Sequence, residues 1–353
     1  MSNPIARAQG LAALHRLPGP LEFSGPSAED PTPDAPVEVL AGTRRLRGTR
    51  VAEIQGNAWR WLTLRNPSAE ETEPAREDLV ALAGELFDAS PAVLAPRAQG
   101  ATMVVALHLD AADVPLRHCL IEGLSQGPSD PRAQLRDFAA ARGLPLRGEG
   151  DRLLLGEQPV LFDGAAALQV PDHGSPALAD VFSDAAYLSI EHQMFFESQH
   201  PAQQVVLDLA SGTAEGMVAR VVGTFDRHAF TWGWADARLP QPAQAASRPL
   251  YAFGLRHGIL PLISPRLPLD RATRWDAAVL AKPLLGAWTH AVAGVAPGVT
   301  ALVLLDAPHL RLPPLRPEVR EAVTSRALPD FADPQRALAA YERARGGGGQ
   351  PAR

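Results

Sequence analysis

The alternation of apolar and polar positions in the second half of the chain predicts a β-hairpin. Its first strand is expected over residues 217–225 and its second over 230–235, with a polar turn between them. Side chains of a strand alternate between the two faces, so Phe230, Trp232 and Trp234 should share one face. We expect these rings to be buried, since a soluble monomer rarely exposes three large rings together.

Apolar positions at helical spacing predict a helix over residues 180–199. One face of this helix is apolar and is formed by Tyr187, Leu188, Ile190, Met194 and Phe195. Glu191 lies within that face and His192 lies at its edge. A carboxylate in an apolar stripe is costly unless it is hydrogen-bonded, paired or protonated.

Two interpretations of Glu191 follow. In one, it is held by a structural hydrogen bond to Tyr187 or to backbone, or this face of the helix is partly open to solvent. In the other, it faces a cavity floored by the aromatic face of the hairpin and acts as a general acid/base or a ligand-orienting group. The candidate ligand-binding residues are therefore Glu191, Tyr187, Trp232, Trp234 and His192.

The first half of the chain carries a similar pattern. Trp59 and Trp61 match Trp232 and Trp234 in spacing, and each pair precedes a helix and a glycine-initiated apolar strand. Either the chain contains a duplicated unit, or two units share common elements by chance; the rarity of tryptophan favours duplication. The helix carrying Trp275 has no counterpart in the first half.

The fold class expected from these patterns is α+β. We predict two related units, each a curved antiparallel sheet covered by helices on one face. The expected divisions are a first unit over 1–125, a connecting helix and hairpin over 126–175, a second unit over 176–310, and a proline-rich tail with a helix and a disordered end over 311–353.

Capping and proline signals predict further helices. Asp130 and Gly143 have the positions expected of the N-cap and the C-terminal glycine of one helix. Ser247 is expected to cap another, with Pro249 in its first turn. Residues 284–293 are expected to continue a third helix beyond an interrupting proline.

Residues 185–308 resemble an uncharacterised bacterial domain family. The resemblance rests on the segment Gly223-Thr224-Phe225 and on the strand Trp232-Gly-Trp-Ala-Asp236, which match the family patterns Gly-[TS]-[FY] and W-x-W-A-[ND]. It covers about a third of the chain. The first half departs from it, because Leu62-Thr63 replaces the Ala-[ND] pair. The resemblance implies an architecture and no particular activity.

Composition narrows the class of protein. A length of 353 residues suggests two domains, and a net charge of −6 gives no general attraction to nucleic acid or anionic lipid. The single cysteine, Cys119, excludes an intrachain disulfide. With no signal peptide or membrane span in the pattern, we expect a cytoplasmic protein. Lys282 is the only lysine among 33 basic residues, a bias that we attribute to a GC-rich genome.

Motifs for chemistry are weak. Residues 123–127 fit G-x-S-x-G around Ser125, but a nucleophile turn needs a helix that begins directly after the serine, whereas Pro128 follows and the next helix cap is Asp130. The ten histidines form no metal-binding spacing, and we predict neither a metal nor a cofactor.

Two functions remain open. The first is a non-catalytic cytoplasmic binding or scaffold protein, since no catalytic constellation is recognisable. The second is a small-ligand-binding protein or an enzyme, with a pocket between the Trp232/Trp234 strand and the 180–199 helix. The expected partner is an unknown protein or small molecule, and neither nucleic acid nor a membrane is expected.

Overall fold

The computed structural model describes residues 3–24, 32–66, 72–87, 90–97, 100–109, 114–127, 129–200 and 205–346. The chain divides into two compact units. The first comprises Met1–Gln158 with Gly164–Ala166, and the second comprises Pro159–Asp163 with Ala167–Arg353. The C-terminal end predicted to be disordered lies outside the described residues from 347 onward.

The first unit consists of strands and short helices. Its strands are β1 (Leu21–Ser24), β2 (Pro36–Ala41), β3 (Arg44–Gln55), β4 (Ala58–Trp61), β5 (Thr72–Pro74), β6 (Ala92–Pro96), β7 (Ala101–His108), β8 (Leu146–Glu149) and β9 (Arg152–Leu155). Its helices are α1 (Pro4–His15), α2 (Glu77–Glu85), α3 (Leu116–Ser125) and α4 (Pro131–Arg142). Strands β10 (Gln158–Asp163) and β11 (Ala166–Gln169) follow, at the division of the chain.

The second unit has longer helices. Its helices are α5 (Leu178–Gln199), α6 (Gln241–His257), α7 (Leu260–Ile263), α8 (Leu269–Arg274), α9 (Ala277–Leu285), α10 (Pro317–Thr324) and α11 (Pro334–Gly346). Its strands are β12 (Leu207–Asp208), β13 (Thr213–Ala214), β14 (Met217–Phe225), β15 (Ala229–Trp232), β16 (Arg266–Pro268), β17 (Thr289–Ala296) and β18 (Val299–Asp306). The α+β fold class is confirmed.

Both units contain a seven-stranded antiparallel sheet with the same strand order among the described residues. In the first, β3 pairs with β2, β4 and β7, and β7 also pairs with β6. In the second, β14 pairs with β13, β15 and β18, and β18 also pairs with β17. The longest strand of each sheet, β3 or β14, therefore pairs with two strands one after the other along one of its edges. Along its other edge it pairs with a single long strand, β7 or β18.

A β-bulge lies at the same place in both sheets. The register shifts between Arg50 and Ala52 where β3 pairs with β7, and between Val221 and Gly223 where β14 pairs with β18. A bulge bends its strand and increases the local twist. The bend lets the two successive partners on the same edge diverge, which accounts for the curvature of each sheet.

Both faces of the second sheet are buried. Along β18, Leu302 and Leu304 join a core with the helices, whereas Val303 and Leu305 join a second core on the opposite face. The first sheet has the same two-sided pattern along β7. A strand buried on both faces is apolar at consecutive positions, as these strands are.

The predicted hairpin is confirmed over β14 and β15, which pair from Gly223↔Trp232 to Phe225↔Phe230. Asp226 forms the turn, since its Oδ1 accepts hydrogen bonds from the backbone nitrogens of His228 and Ala229. Gly223 is required by packing. A Cβ there would lie 2.4 Å from the Phe230 ring.

The second strand of the hairpin is shorter than predicted. It ends at Trp232, and residues Gly233–Ala235 form a 3-10 helix. Trp234 therefore does not share a strand face with Phe230. The pairing also corrects the match between the units. Trp61 pairs with Ala52 at the bulge as Trp232 pairs with Gly223, so Trp61 and not Trp59 is equivalent to Trp232.

Two predicted helix boundaries are wrong. Helix α6 begins at Gln241 and continues through Pro249; Ser247 lies buried in its middle and donates to the Gln244 carbonyl instead of capping a helix. Of residues 284–293, only Leu284 and Leu285 are helical, because Gly286 ends α9 in the left-handed conformation (φ 66°) and β17 follows.

Candidate functional site

Helix α5 carries three of the five predicted site residues. Its first turn is stabilised by Asp180, whose carboxylate accepts a hydrogen bond from the backbone nitrogen of Ala177 at 3.0 Å. Tyr187 and Glu191 lie one turn apart and both contact α11. His192 lies on a neighbouring face of the same helix, one turn from Ser189.

Glu191 is buried, and both of its carboxylate oxygens accept hydrogen bonds from side chains of α11. One carboxylate oxygen accepts a hydrogen bond from the Tyr341 hydroxyl at 2.9 Å, and the other accepts from the Arg345 guanidinium at 3.0 Å. Arg345 also donates to the Pro313 carbonyl at 2.6 Å. Burial and Glu191 together raise the pKa of Tyr341. The hydrogen-bond partners of Glu191 are therefore the Tyr341 and Arg345 side chains of α11. They are neither Tyr187 nor residues of the aromatic strand.

Tyr341→Phe is expected to lower the free energy of unfolding by about 1.5–3 kcal/mol, because a buried carboxylate loses a donor. Tyr187→Phe is the matched control. Tyr187 packs edge-on against Tyr341 with ring centroids 6.2 Å apart, and its hydroxyl has no hydrogen-bond partner among the described residues. Chemical denaturation measures both variants, and equal losses would contradict the assignment.

The tryptophans of the hairpin have separate structural roles. Trp232 is 1 % exposed, and its indole Nε1 donates to the Pro261 carbonyl at 2.7 Å. Its ring packs edge-on against Phe230 with centroids 4.9 Å apart. Trp234 is half-buried and contacts the Tyr251 ring at 4.7 Å. Burial of Trp232 in the core is confirmed.

The end of the W-x-W-A-D segment folds back onto β14. The Thr224 hydroxyl donates to the buried Asp236 carboxylate at 2.5 Å, and Arg238 donates to both Asp236 and Thr224. Burial alone would raise the pKa of Asp236, but the hydrogen bonds from Arg238 and Thr224 outweigh it and hold the pKa low. The two sequence segments that carried the resemblance therefore meet in one hydrogen-bonded turn.

A second polar cluster lies on the other side of α5. Lys282, on α9, is 0 % exposed, and its Nζ donates to the Ser189 Oγ at 2.6 Å. It forms no ion pair with any described residue. Burial lowers the pKa of Lys282 to about 7, against the weaker opposing effects of Asp276 and Glu197. Burial therefore favours the uncharged form of this amine.

Two histidines lie within the electrostatic influence of this lysine. Burial, Lys282 and Arg345 lower the pKa of His192 to about 3, and burial and Lys282 lower the pKa of His290 to about 3. Both Nδ1 atoms are buried and have no hydrogen-bond partner in the described part of the chain. Both residues are partly exposed, and His192 stacks on Trp288 at 6.0 Å. We call Lys282, Ser189, His192 and His290 the amine site.

A comparison with models of protein families matches a part of the second unit that includes the turn joining the two motif segments. Residues 179–308 match the model of a family of unknown function, DUF6882. The resemblance expected from the sequence is confirmed. No curated protein and no solved structure matches the chain.

The residues that match DUF6882 contain one of the two polar clusters on α5 completely and the other only in part. It includes all four residues of the amine site and the turn formed by Thr224 and Asp236. It ends before α10 and α11, so Tyr341 and Arg345 lie outside it. Glu191 is therefore covered by a segment that the DUF6882 model does not include.

Sequence reasoning missed three of the four amine-site residues. It noted Lys282 but attributed it to composition. The burial of Lys282 could have been predicted from its position in the sequence. All the other residues of Ala277–Leu285 are apolar, which is not the pattern of a helix with a solvent-facing lysine. Ser189 had no detectable signal, since its role depends on its hydrogen bond to Lys282. His290 had none either, since the effect of Lys282 on its imidazole depends on the tertiary fold.

The G-x-S-x-G segment has a structural explanation. Ser125 ends α3, and its Oγ donates to the Glu122 carbonyl at 2.9 Å. No strand leads into this serine, as a nucleophile turn requires. Within the described ranges, no group of three or more His, Cys, Asp and Glu side chains could hold a metal ion. No helix of the described residues is long and apolar enough to cross a membrane.

Proposed function

We propose that this protein is a binding protein for a small molecule, and that the ligand contacts the amine site of its second unit. The observation that carries the proposal is Lys282, buried entirely and held by one hydrogen bond to Ser189. Burying an amine without an ion pair is costly, and an apolar side chain would stabilise the same core better. The cost of Lys282 is understandable if the amine serves a ligand.

The neighbouring groups support a ligand site. The imidazoles of His192 and His290 have buried nitrogens without partners among the described residues, and each can donate or accept a hydrogen bond. Trp288 and His192 offer partly exposed rings beside them. A few convergent polar groups in an apolar surrounding are typical of small-molecule sites.

We further propose that the two units arose by duplication and that only the second binds this ligand. The shared strand order and the shared bulge support a common origin. The first unit contains no lysine, so it has no equivalent of the buried amine. A non-catalytic scaffold role is the alternative for the first unit, and we propose a cytoplasmic location for the whole protein.

A thermal-shift screen against a panel of small metabolites tests the proposal. We expect at least one compound to raise the melting temperature of the wild-type protein by several degrees, since binding to the native state stabilises it. The shift should disappear in Lys282→Met. Arg311→Met is the control, because it removes an exposed cation elsewhere. A shift that is unchanged in Lys282→Met would contradict the site, and a screen without hits would contradict the function.

A further inference from the structure

We infer that the duplicated unit includes the two helices that follow its last strand, so that α10 and α11 complete the second copy. The two copies then comprise residues 4–142 and 178–346. The second copy extends well beyond the DUF6882 match, which ends at residue 308. This inference rests on the duplication proposed above and does not depend on the ligand.

The order of elements is the same in both copies, apart from one insertion. Each begins with a helix, α1 or α5, and continues through five strands to a helical segment, which is α2 in the first copy and α8 with α9 in the second. Two paired strands follow, β6 with β7 and β17 with β18. Each copy then ends with two helices, α3 and α4 or α10 and α11. The terminal helices therefore occupy the same place in the order of elements.

The strand pairings match the two copies at single residues. Three positions before the equivalent tryptophans, Ala58 pairs with Pro74 in the first sheet and Ala229 pairs with Pro268 in the second. Both prolines end a strand of three residues, so β5 and β16 are equivalent. On this match, the inserted segment of the second copy is α6 with α7, between β15 and β16. It is not the helix carrying Trp275, as expected from the sequence.

The two terminal helices contact the first helix in both copies. In the first copy, α3 packs so closely on α1 that a Cβ at Gly123 would lie 2.5 Å from the Ile5 Cα. The side-chain amide of Asn3, which caps α1, donates to the Gln134 carbonyl of α4 at 2.7 Å. In the second copy, α10 and α11 both contact α5, and α11 supplies the two donors of Glu191. The more extensive contact is made by α3 in the first copy and by α11 in the second.

Helix α11 belongs to the core of the second unit. Tyr341 is 1 % exposed and joins the same hydrophobic core as Trp232. The segment between α10 and α11 packs there as well, since the Phe331 ring lies edge-on to the Phe182 ring with centroids 4.9 Å apart. Without α11, the Glu191 carboxylate would lie in an apolar helix face without its two donors. The residues that match DUF6882 therefore form an incomplete unit by themselves.

Native-state hydrogen exchange of the full-length chain tests this inference. If α11 completes the unit, the amides at its centre and those of β18 should exchange through one cooperative opening with one dependence on urea. The same match predicts that α3 exchanges together with β7 in the first copy. In Arg345→Met, Glu191 loses its charged donor, so exchange in α11 and in β18 should become at least about tenfold faster by the same factor.

Arg343→Met is the matched control, because it removes an exposed arginine of the same helix. It should leave both exchange rates unchanged. If Arg345→Met accelerates exchange at the centre of α11 while β18 keeps its wild-type rate, α11 is an appended segment and the inference is overturned. That result would leave the ligand proposal intact, because the thermal-shift screen decides it separately. A screen without hits, together with a shared opening of α11 and β18, would remove the ligand and retain the extended unit.

Discussion

Lys282→Met is expected to raise the free energy of unfolding by about 2–4 kcal/mol at pH 7. The buried amine has a pKa of about 7 in the folded chain, against about 10.4 for an unfolded lysine. The folded state must therefore either release a proton or bury a charge. Methionine removes this cost and fills a similar volume, but it leaves the Ser189 hydroxyl without its donor.

The stability difference between wild type and Lys282→Met should depend on pH, because the pKa of Lys282 is lower in the folded chain than in the unfolded chain. Between pH 7 and about 10 the unfolded chain binds a proton at Lys282 that the folded chain has largely lost, so wild-type stability rises with pH in this window. Below pH 7 both states are protonated and the full cost is present. We expect the difference between wild type and Lys282→Met to shrink from pH 7 to pH 9 in chemical denaturation. A difference that stays constant with pH, or a destabilised variant, would contradict the buried neutral amine.

Trp232→Ala is expected to lower the free energy of unfolding by about 3–5 kcal/mol. The side chain is 1 % exposed, and its removal leaves a large cavity beside Phe230. It also leaves the Pro261 carbonyl without the indole donor. Loss of this residue acts on packing and on a hydrogen bond together, which places it among the most damaging single substitutions in the second unit.

Trp234→Ala is the matched control for Trp232→Ala. Trp234 is the same residue type two positions further on, but it is half-buried on a 3-10 helix, so its truncation should cost clearly less. Urea denaturation of both variants gives the comparison. Equal losses would indicate that the two rings form one aromatic face, as the alternating pattern alone predicts.

Local signals were sufficient for several elements. The hairpin of β14 and β15 was readable because the alternation and the turn residue Asp226 are neighbours in sequence. The bounds of α4 were readable for the same reason. Asp130 accepts a hydrogen bond from the backbone nitrogen of Ala133 at 2.9 Å, and Gly143 adopts the left-handed conformation with φ 61°.

Other elements depended on tertiary packing. Pro249 lies inside α6 although it removes a helical hydrogen bond. The helix is held by tertiary packing, since Leu250 is buried in the core and Gly254 packs closely on α7. The alternating pattern predicted a strand through Trp234, but the strand ends at Trp232. The Asp236 carboxylate then accepts a hydrogen bond from Thr224, which holds the segment after the strand against β14.

The sequence by itself determined the fold class, the apolar face of α5 and the presence of an anomalous glutamate within it. Only the tertiary structure decided which groups these residues meet. Glu191 contacts Tyr341 across 150 positions, and Ser189 contacts Lys282 across 93. Helix and turn signals come from neighbours within a few residues, so they can be read along the chain. The partner of a buried polar group is chosen by packing between distant segments, which no local pattern records.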